Sequence, residues 1–327
     1  MAHREFAILG AGAIGSILGA HLAAAGHSVV MLARNLRARQ IQKNGLHIAG
    51  LTDLTVEVDV LSDPAQFRGA DVLIVAMKTP GTRAALEPYR HHDISVAFSI
   101  QNGLEKNLLL AEIFTARRVL GALADTSGEM QADGVVVFTR NVNLMLGELD
   151  GPAGERAHRI AGVIDRSGVR AEAADDIQSL EWSKFCAWAG LVAISVTTRA
   201  VTSEFLADPG SARVLARLIR ELAAVARAAG ARLTDRSVLP VASLAAGSEQ
   251  DAVGLLMDIG TTYRQTAPRH RLSSLQDLEA GRPLEFEAAL GCARRKAEEL
   301  RIPCPLLDAF YHLVAGLDRM HTTAAPK

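Results

Sequence analysis

The stretch "FAILGAGAIGSILGA" (residues 6–20) joins a short apolar run to a glycine-rich turn and a small-residue helical pattern. The turn follows the spacing G-x-G-x-x-G and consists of Gly10, Ala11, Gly12, Ala13, Ile14 and Gly15. In a strand–turn–helix unit the first glycine permits the tight turn, the second admits a pyrophosphate, and the third lets helix and strand pack closely. The start of the helix adds amide donors and partial positive charge. The stretch therefore predicts a dinucleotide site, although a glycine turn without a ligand remains an alternative.

Further apolar runs fill the N-terminal half of the chain. Strands are predicted at 6–9, 28–33, 71–77 and 94–100, with 117–123 as an extension of the sheet. Continuous apolar runs separated by helical patterns are typical of a parallel sheet covered on both faces. Segment 134–149 divides around "RN" and predicts a hairpin at the sheet edge. The fold class is α/β, with an N-terminal Rossmann-type doubly wound sheet.

The second half loses its strand patterns after about residue 175. Its clearest helix begins with Asp208 as cap and Pro209 in the first turn, and Gly230 suits its end. Other helices are predicted over 180–197, 250–265, 284–300 and 305–318. We therefore expect a dinucleotide-binding Rossmann domain over 1–176 and an all-helical domain over 177–327.

Composition excludes several classes of protein. The 327 residues are 49% hydrophobic and 22% charged with a net charge of −1, which predicts a soluble globular protein without a basic groove for nucleic acid. No apolar run has membrane-spanning length, and the acidic Glu5 beside the glycine turn argues against a signal peptide. Three cysteines without a C-x-x-C pair favour reduced thiols in the cytoplasm. No metal site is expected.

The end of the second predicted strand bears on the choice of cofactor. NAD sites usually place an acidic residue there, to accept a hydrogen bond from the ribose 2′-hydroxyl. Here "VMLARN" places Arg34 at this point, with Arg37 and Arg39 nearby. A guanidinium can pair with a 2′-phosphate, so NADP(H) is the expected cofactor. The alternative is a solvated basic loop.

Two polar residues follow the third and fourth predicted strands. Lys78 lies in "MKTPGT" and Asn102 in "SIQNG". Ligands of open α/β sheets bind at the carboxyl ends of the strands, which makes both residues candidates for the site. Asn-Gly also forms ordinary turns, so a purely structural role is equally open for each residue.

The helical stretch "EWSKFCAWAG" (181–190) places Lys184 among apolar residues. A charge in such surroundings is costly unless a partner or a reaction uses it. Hydride addition to a carbonyl leaves negative charge on oxygen, which a lysine can stabilise and protonate. Alternatively, Lys184 extends to solvent or pairs with a surface acid.

Together these motifs resemble the ketopantoate reductase (2-dehydropantoate 2-reductase) family. The elements "GAGAIG", "LAR", "MK", "QNG", "EWSKF" and "SSLQDLEAGRPLEFEAALG" (273–291) occur in the family's order and spacing over residues 6 to about 318. The last is the most specific, and its matching residues are Ser273, Gln276, Asp277, Arg282 and Glu285. The resemblance implies reduction of a 2-oxo acid with NADPH between a Rossmann and a helical domain. Ketopantoate, reduced to pantoate in pantothenate biosynthesis, is the first candidate.

The resemblance also implies roles for individual residues. Lys184 matches the family's catalytic lysine, and Glu285 its active-site glutamate. Ser273 matches the serine that binds the substrate carboxylate, and Asn102 the cleft asparagine near the nicotinamide. Arg34 and Lys78 match NADPH-binding positions. Alternatively, Glu285 is an exposed acid at a helix start and Ser273 a helix cap.

The lysine helix departs from the family pattern K-x-x-x-N-x-x-x-N, because Trp188 and Val192 replace both asparagines. Residues four apart share a helix face, so Trp188 is predicted to line the substrate pocket in place of an amide. Packing in the domain core is its alternative. This favours, as a second hypothesis, reduction of a more apolar 2-oxo acid or related carbonyl. A non-catalytic NADP-binding sensor is a third. The expected partner is a small-molecule substrate, with neither nucleic acid nor membrane, and a homodimer is compatible with this interpretation.

Overall fold

The computed structural model describes residues 3–324. The chain forms two compact units, which divide between Ile177 and Gln178. The first contains a ten-stranded sheet. Its strands are β1 (Arg4–Leu9), β2 (Val29–Leu32), β3 (Leu46–Gly50), β4 (Leu54–Val56), β5 (Asp59–Leu61), β6 (Ala70–Val75), β7 (Ile94–Ser99), β8 (Val119–Met130), β9 (Val136–Glu148) and β10 (Ala171–Ala173). Five helices accompany them: α1 (Ala13–Ala24), α2 (Asn35–Asn44), α3 (Thr82–Leu86), α4 (Glu105–Phe114) and α5 (Glu155–Arg166).

The strand order is β4-β3-β9-β8-β7-β6-β1-β2-β5, with β10 paired to β9. The run from β5 to β8 is parallel, and β9 is antiparallel to β8. Strand β1 lies inside the sheet between β6 and β2, and both of its faces are buried: Phe6 and Ile8 enter one hydrophobic cluster, while Ala7 and Leu9 enter the other. Helices α1 and α5 cover the first cluster, and α4 covers the second. The predicted doubly wound, mainly parallel sheet is confirmed.

The hairpin predicted within 134–149 is wrong. This segment forms the single strand β9, which lies inside the sheet between β3 and β8. The hairpin turn precedes it at 131–135, where the Gln131 amide donates to the Val135 carbonyl at 2.8 Å. Arg140 remains extended because its guanidinium binds Asp125 on β8 at 2.7 and 2.9 Å, and Asn141 binds the Gly168 carbonyl and the Arg170 amide. The sequence pattern also missed the short strands β3, β4, β5 and β10.

From residue 178 to 324 the described chain contains helices and no strand. The helices are α6 (Ile177–Thr198), α7 (Thr202–Ala207), α8 (Pro209–Ala228), α9 (Val241–Ala245), α10 (Glu249–Thr266), α11 (Ser273–Glu279), α12 (Cys292–Leu300) and α13 (Pro305–Ala324). Asp208 caps α8 as predicted, since its carboxylate accepts from the Ser211 amide at 2.7 Å. Gly230 follows α8 with φ +87°, a conformation that favours glycine. The all-helical character of this unit is confirmed, and no helix within 3–324 has the length and apolarity to cross a bilayer.

Candidate active site

The three glycines of the β1–α1 turn have different surroundings. Gly10 has φ +107°, and a Cβ there would lie 2.6 Å from the Met77 amide nitrogen. A Cβ on Gly15 would lie 2.1 Å from the Gly10 carbonyl oxygen. At Gly12, by contrast, the nearest atom to a Cβ would be the Ala76 carbonyl oxygen at 3.9 Å. Chain packing thus requires glycine at the first and third positions, whereas the second position is open.

The start of α1 is suited to bind an anion. Gly12 is its N-cap residue, no side chain caps it, and its first turn contains no acidic residue. The first amides of a helix lack partners within the helix and carry a partial positive charge. Ala13 and Ile14, the first two helical residues, are half-buried. This helix start can therefore hold phosphate groups through backbone donors.

A cavity of about 390 Å³ borders this turn. Its walls come from the carboxyl ends of β1, β2 and β5, from segment 84–89 and from Met130. Gly10, Ala11 and Gly12 form one side, and Arg34 and Arg37 add positive charge. The mixture of apolar wall, glycine backbone and two guanidinium groups suits a nucleotide better than a small polar metabolite.

The structure separates the arginines of the loop after β2. Arg34 and Arg37 both line the cavity, Arg34 as an exposed residue, whereas Arg39 is exposed on α2 and is not part of the cavity wall. Arg37 is half-buried, and its guanidinium donates to the Ala11 carbonyl at 3.0 Å, the Ser16 hydroxyl at 2.9 Å and the Gly134 carbonyl at 2.9 Å. Burial lowers the pKa of Arg37. Arg34 is therefore the arginine that can turn towards a ligand in the cavity.

Tyr89 lines the same cavity, and the sequence gave no signal for it. Its ring is buried and packs edge-on against Phe67, with centroids 5.4 Å apart and an interplanar angle of 83°. Burial raises the pKa of the Tyr89 phenol to about 12, so the hydroxyl stays protonated. Tyr89 can thus offer an apolar ring and one hydrogen-bond donor at the cavity wall.

The neighbouring strands β6 and β7 present the other two candidates of this unit. Lys78 is exposed after β6, and Asn102 is half-buried after β7. Gln101 connects these strand ends, because its amide donates to the Met77 carbonyl and to the Thr82 hydroxyl, both at 2.8 Å. Within residues 3–324 the Asn102 side chain makes no hydrogen bond to another residue, so its amide can serve a ligand. Gln101 has the scaffolding role in "QNG".

Lys184 lies half-buried on α6. The neighbouring face of this helix holds the loop after α8, because Ser179 accepts from the Arg232 amide and Ser183 from the Thr234 amide, both at 2.9 Å. Positions 188 and 195 follow Lys184 by four and eleven residues, which is close to one and three helical turns. The three positions therefore lie along one side of the helix. The backbone contacts of Ser179 and Ser183 are made on a neighbouring side of the helix and do not involve these three positions.

The two replaced asparagine positions differ in burial. Val192 is only 3% exposed and belongs to the core of the helical unit. Trp188 is half-buried, and its indole packs at a tilt against Phe185, with centroids 6.2 Å apart. An indole that retains exposed surface can contact a substrate, whereas a side chain at position 192 cannot without rearrangement.

Ser273 is exposed and is the first residue of α11. The N-cap residue is Leu272, and no side chain caps the helix, so the helix-cap alternative for Ser273 is wrong. The next residue, Ser274, places its hydroxyl 3.4 Å from that of Ser195 on α6. Ser273 therefore stands beside the C-terminal half of α6, about three turns beyond Lys184.

An ion pair shapes the segment before Glu285. Asp277 is 4% exposed and accepts from the Arg282 guanidinium at 2.7 Å, while its carbonyl accepts from the Arg282 amide at 2.8 Å. The Leu284 amide then donates to Asp318 at 2.8 Å. Two residues of the resembling motif, Asp277 and Arg282, thus close the turn that presents Glu285.

Glu285 is half-buried and precedes a π-helical turn at Glu287–Gly291, which continues into α12. The single helix predicted over 284–300 therefore has an irregular start, of a kind often found at functional sites. Glu287 is exposed, pairs with Arg295 at 3.1 Å and accepts from the Tyr311 hydroxyl at 2.8 Å. Glu287 has the surface role that was the alternative for Glu285.

Among the described residues no cluster of three or more histidines, cysteines or acids could hold a metal ion. Burial raises the pKa of the Cys186 thiol to about 12 and that of Cys304 to about 11. Neither is poised as a nucleophile. Cys292 is buried as well.

Known proteins share both units. The model of the family "Ketopantoate reductase PanE/ApbA" matches residues 6–151, and that of its C-terminal part matches 176–318. A 2-dehydropantoate 2-reductase of Archaeoglobus fulgidus is 30% identical over 311 residues, which cover 95% of this chain and 97% of the relative. One from Mesorhizobium japonicum is 28% identical, with 96% and 97% covered.

Solved structures agree in fold. A PanE/ApbA family ketopantoate reductase from Ralstonia eutropha superposes with a TM-score of 0.82 at 26% identity, covering 98% of this chain and 99% of that one. D-mandelate dehydrogenase in complex with NADH and anilino(oxo)acetate reaches a TM-score of 0.83 at 17% identity, with 98% and 99% covered, which is a likeness of fold alone. With both of its units matched in order, the chain belongs to the ketopantoate reductase family and is an oxidoreductase acting on CH–OH groups.

Proposed function

We propose that this protein reduces a 2-oxo acid to the 2-hydroxy acid with NADPH, and that ketopantoate is the first substrate to test. The observation that carries the proposal is that Lys184 is half-buried on α6, next to the apolar stretch from Phe185 to Ile194. Family membership supports oxo-acid reduction, because relatives matched over nearly their whole length are named 2-dehydropantoate 2-reductase.

The residues around the β1–α1 turn fit a dinucleotide. The open position at Gly12 and the uncapped start of α1 would hold the pyrophosphate, and Arg34 the 2′-phosphate. Lys78 would add a cation at the same edge of the sheet, and Asn102 would bind near the nicotinamide. When bound, the cofactor supplies the hydride to the carbonyl carbon of the substrate.

Lys184 has the acid's role in this reaction. As the carbonyl carbon gains the hydride, the π-electron pair moves to oxygen, and the ammonium stabilises this charge and donates its proton to that oxygen. The lysine regains a proton from solvent. Glu285 is assigned as the second catalytic residue beside Lys184, and Ser273 as the residue that binds the substrate carboxylate.

Trp188 supports a second candidate substrate. Because the indole retains exposed surface and replaces an amide, it offers ring area and at most one donor. When a site has no hydrogen-bond partner for a substrate hydroxyl, it no longer prefers the hydroxylated substrate over an analogue without the hydroxyl. A flatter and more apolar 2-oxo acid would then be preferred to ketopantoate.

The test is a panel of 2-oxo acids with purified protein, followed by NADPH absorbance, with NADH in parallel. The panel contains ketopantoate, its analogue without the hydroxyl, and straight-chain and aromatic 2-oxo acids. Preference for ketopantoate supports the first candidate, and preference for an apolar acid the second. Tight NADPH binding without turnover of any acid would favour the sensor hypothesis. The homodimer stays a prediction, which the mass from light scattering decides.

A further inference from the structure

Arg37 on α2 binds the glycine turn, helix α1 and the β8–β9 turn, at residues that lie 21 to 97 positions away in the sequence. From α2, its Nε donates to the Ala11 carbonyl in the glycine turn at 3.0 Å. One terminal nitrogen donates to the Ser16 hydroxyl on α1 at 2.9 Å. The other donates to the Gly134 carbonyl in the β8–β9 turn at 2.9 Å. One half-buried guanidinium thus fixes the glycine turn to two neighbouring elements.

The hydrogen bonds converge on the Ala11 carbonyl. Ser16 is fully buried, and its hydroxyl also donates to this carbonyl at 3.2 Å. Ser16 therefore accepts from Arg37 while it donates to the oxygen that Arg37 itself binds. Closed hydrogen-bond networks of buried groups are rigid, because each member fixes the direction of the others.

This network sets the orientation of the peptide between Ala11 and Gly12. The described chain has no cis peptide bond, so the Ala11 carbonyl and the Gly12 N–H point in opposite directions across one plane. The carbonyl is turned inward to Arg37 and Ser16. The Gly12 N–H is therefore turned outward, on the residue whose Cβ position is open.

We infer that Arg37 is a positioning residue of the cofactor site, which aims the Gly12 amide at the pyrophosphate and does not bind the 2′-phosphate. The inference deepens the proposed function and rests on it. It also assigns different roles to Arg34 and Arg37, which lie three residues apart in the sequence. Arg34, exposed at the cavity, discriminates NADPH from NADH, whereas Arg37 serves the pyrophosphate that both cofactors share.

The test compares Arg37→Met with Arg34→Ala, and uses Arg39→Met as a control on the exposed side of the same helix. Dissociation constants for NADPH and NADH are measured by fluorescence titration of the full chain. Arg37→Met is expected to weaken both cofactors about tenfold and leave their ratio within about twofold of the parent, since a hydrogen bond to a charged group is lost. Arg34→Ala should change the ratio, and Arg39→Met should change neither value.

A loss confined to NADPH in Arg37→Met would make Arg37 a 2′-phosphate ligand and overturn the inference. Unchanged affinity for both cofactors would overturn it as well. If Arg37→Met does not fold, Ser16→Ala removes the bridging hydroxyl and should weaken both cofactors by about threefold, with the ratio kept.

Amide hydrogen exchange provides a readout that needs no ligand. The Ser16 amide donates to the Gly12 carbonyl at 2.9 Å and reports opening of the turn. Arg37→Met should speed its exchange about tenfold, and Arg39→Met should leave it unchanged. If the parent binds neither nucleotide, the proposed function fails while exchange still tests the network. Equal exchange in Arg37→Met and the parent refutes it.

Discussion

Gly12→Ala tests whether the open position in the glycine turn exists for a ligand. Gly12 has φ −72° and ψ −170°, an extended conformation that alanine adopts without strain. The added methyl group would meet only the Ala76 carbonyl oxygen, at 3.9 Å. Alanine is a poorer N-cap than glycine, but it also lowers the entropy of the unfolded chain, and each effect is worth about 0.5–1 kcal/mol. The free energy of unfolding should therefore change by less than about 1 kcal/mol.

Nucleotide affinity should fall much further. In the proposed function, the methyl group would stand where the pyrophosphate is expected to approach the amides of the α1 start. Loss of one hydrogen bond to a charged group costs about 1.5–3 kcal/mol, which corresponds to about 10- to 100-fold in the dissociation constant. NADPH and NADH should be affected alike, because the pyrophosphate is common to both. Titration of the folded variant with each cofactor measures the effect.

Gly15→Ala is the matched control, since the same methyl group would lie 2.1 Å from the Gly10 carbonyl oxygen. Overpacking of this kind costs about 1–3 kcal/mol or more, so this variant should lose stability as well as binding. Stability is read from denaturant unfolding of both variants. Parental affinity for both cofactors in a folded Gly12→Ala variant would refute the assignment of the turn to pyrophosphate.

Three further outcomes are expected. Lys184→Ala should bind NADPH as tightly as the parent does, because the glycine turn lies in the other unit. Its kcat should fall about 100-fold or more. A decrease in kcat of only a few-fold would show that Lys184 is not the proton donor. Trp188→Asn should raise the ratio of kcat/KM for ketopantoate to kcat/KM for an apolar 2-oxo acid about tenfold. The control variant Trp188→Phe should keep the parental ratio. If Trp188→Asn leaves the ratio unchanged and lowers Tm, the indole is a packing residue. Burial lowers the pKa of His21, whose ring nitrogens contact the Ser167 carbonyl at 3.0 Å and the Thr52 hydroxyl at 3.1 Å. As pH falls, His21 is therefore protonated in the unfolded chain at a higher pH than in the folded chain. The free energy of unfolding should be constant above about pH 6.5 with respect to this group and should decrease below it, by at most about 1.4 kcal/mol per pH unit. Urea unfolding at pH 7.5 and 5.5 should show a smaller difference between the two pH values in His21→Gln than in the parent.

The nucleotide-binding unit was readable from sequence where the pattern reflects steric need. Gly10 and Gly15 are fixed by contacts under 3 Å, and the central strands have continuous apolar runs because both of their faces are buried. Strand β9 escaped because its "RN" pair looks like a turn in isolation. Only the partners across the sheet, such as Asp125 for Arg140, reveal that these polar residues belong to an extended strand.

The same limit applies to the arginines after β2. Sequence places Arg34, Arg37 and Arg39 within six residues, and it identifies Arg34 as the phosphate ligand without indicating what Arg37 and Arg39 do. Their roles depend on acceptors that are remote in the chain, since Arg37 meets Gly134 across 97 positions. A local pattern can predict a positive loop, but it cannot tell which guanidinium is already occupied.

In the helical unit, the pattern S-x-x-Q-D-x-x-x-x-R-x-x-E marks five residues whose tasks differ. Asp277 and Arg282 bind each other, and the Gln276 side chain donates to the Arg271 carbonyl at 3.2 Å. Ser273 and Glu285 stand at the two ends of the turn that these bonds hold. The separation of Asp277 and Arg282 by five positions fits this geometry, because an insertion between them would break the turn.

The sequence of helix α6 predicts that Lys184 and Trp188 share a face, but its periodicity does not predict which face of the helix is buried. Apolar residues occur on all of its sides from Phe185 to Val196, so no single stripe identifies the buried face. The structure identifies one packed side of the helix, because the hydroxyls of Ser179 and Ser183 accept hydrogen bonds from backbone amides of the loop at 232–234. Lys184 and Trp188 lie on a different stripe, and both retain exposed surface. The lysine can therefore reach a substrate without leaving its helix, and any substrate that it protonates must lie within one turn of the indole.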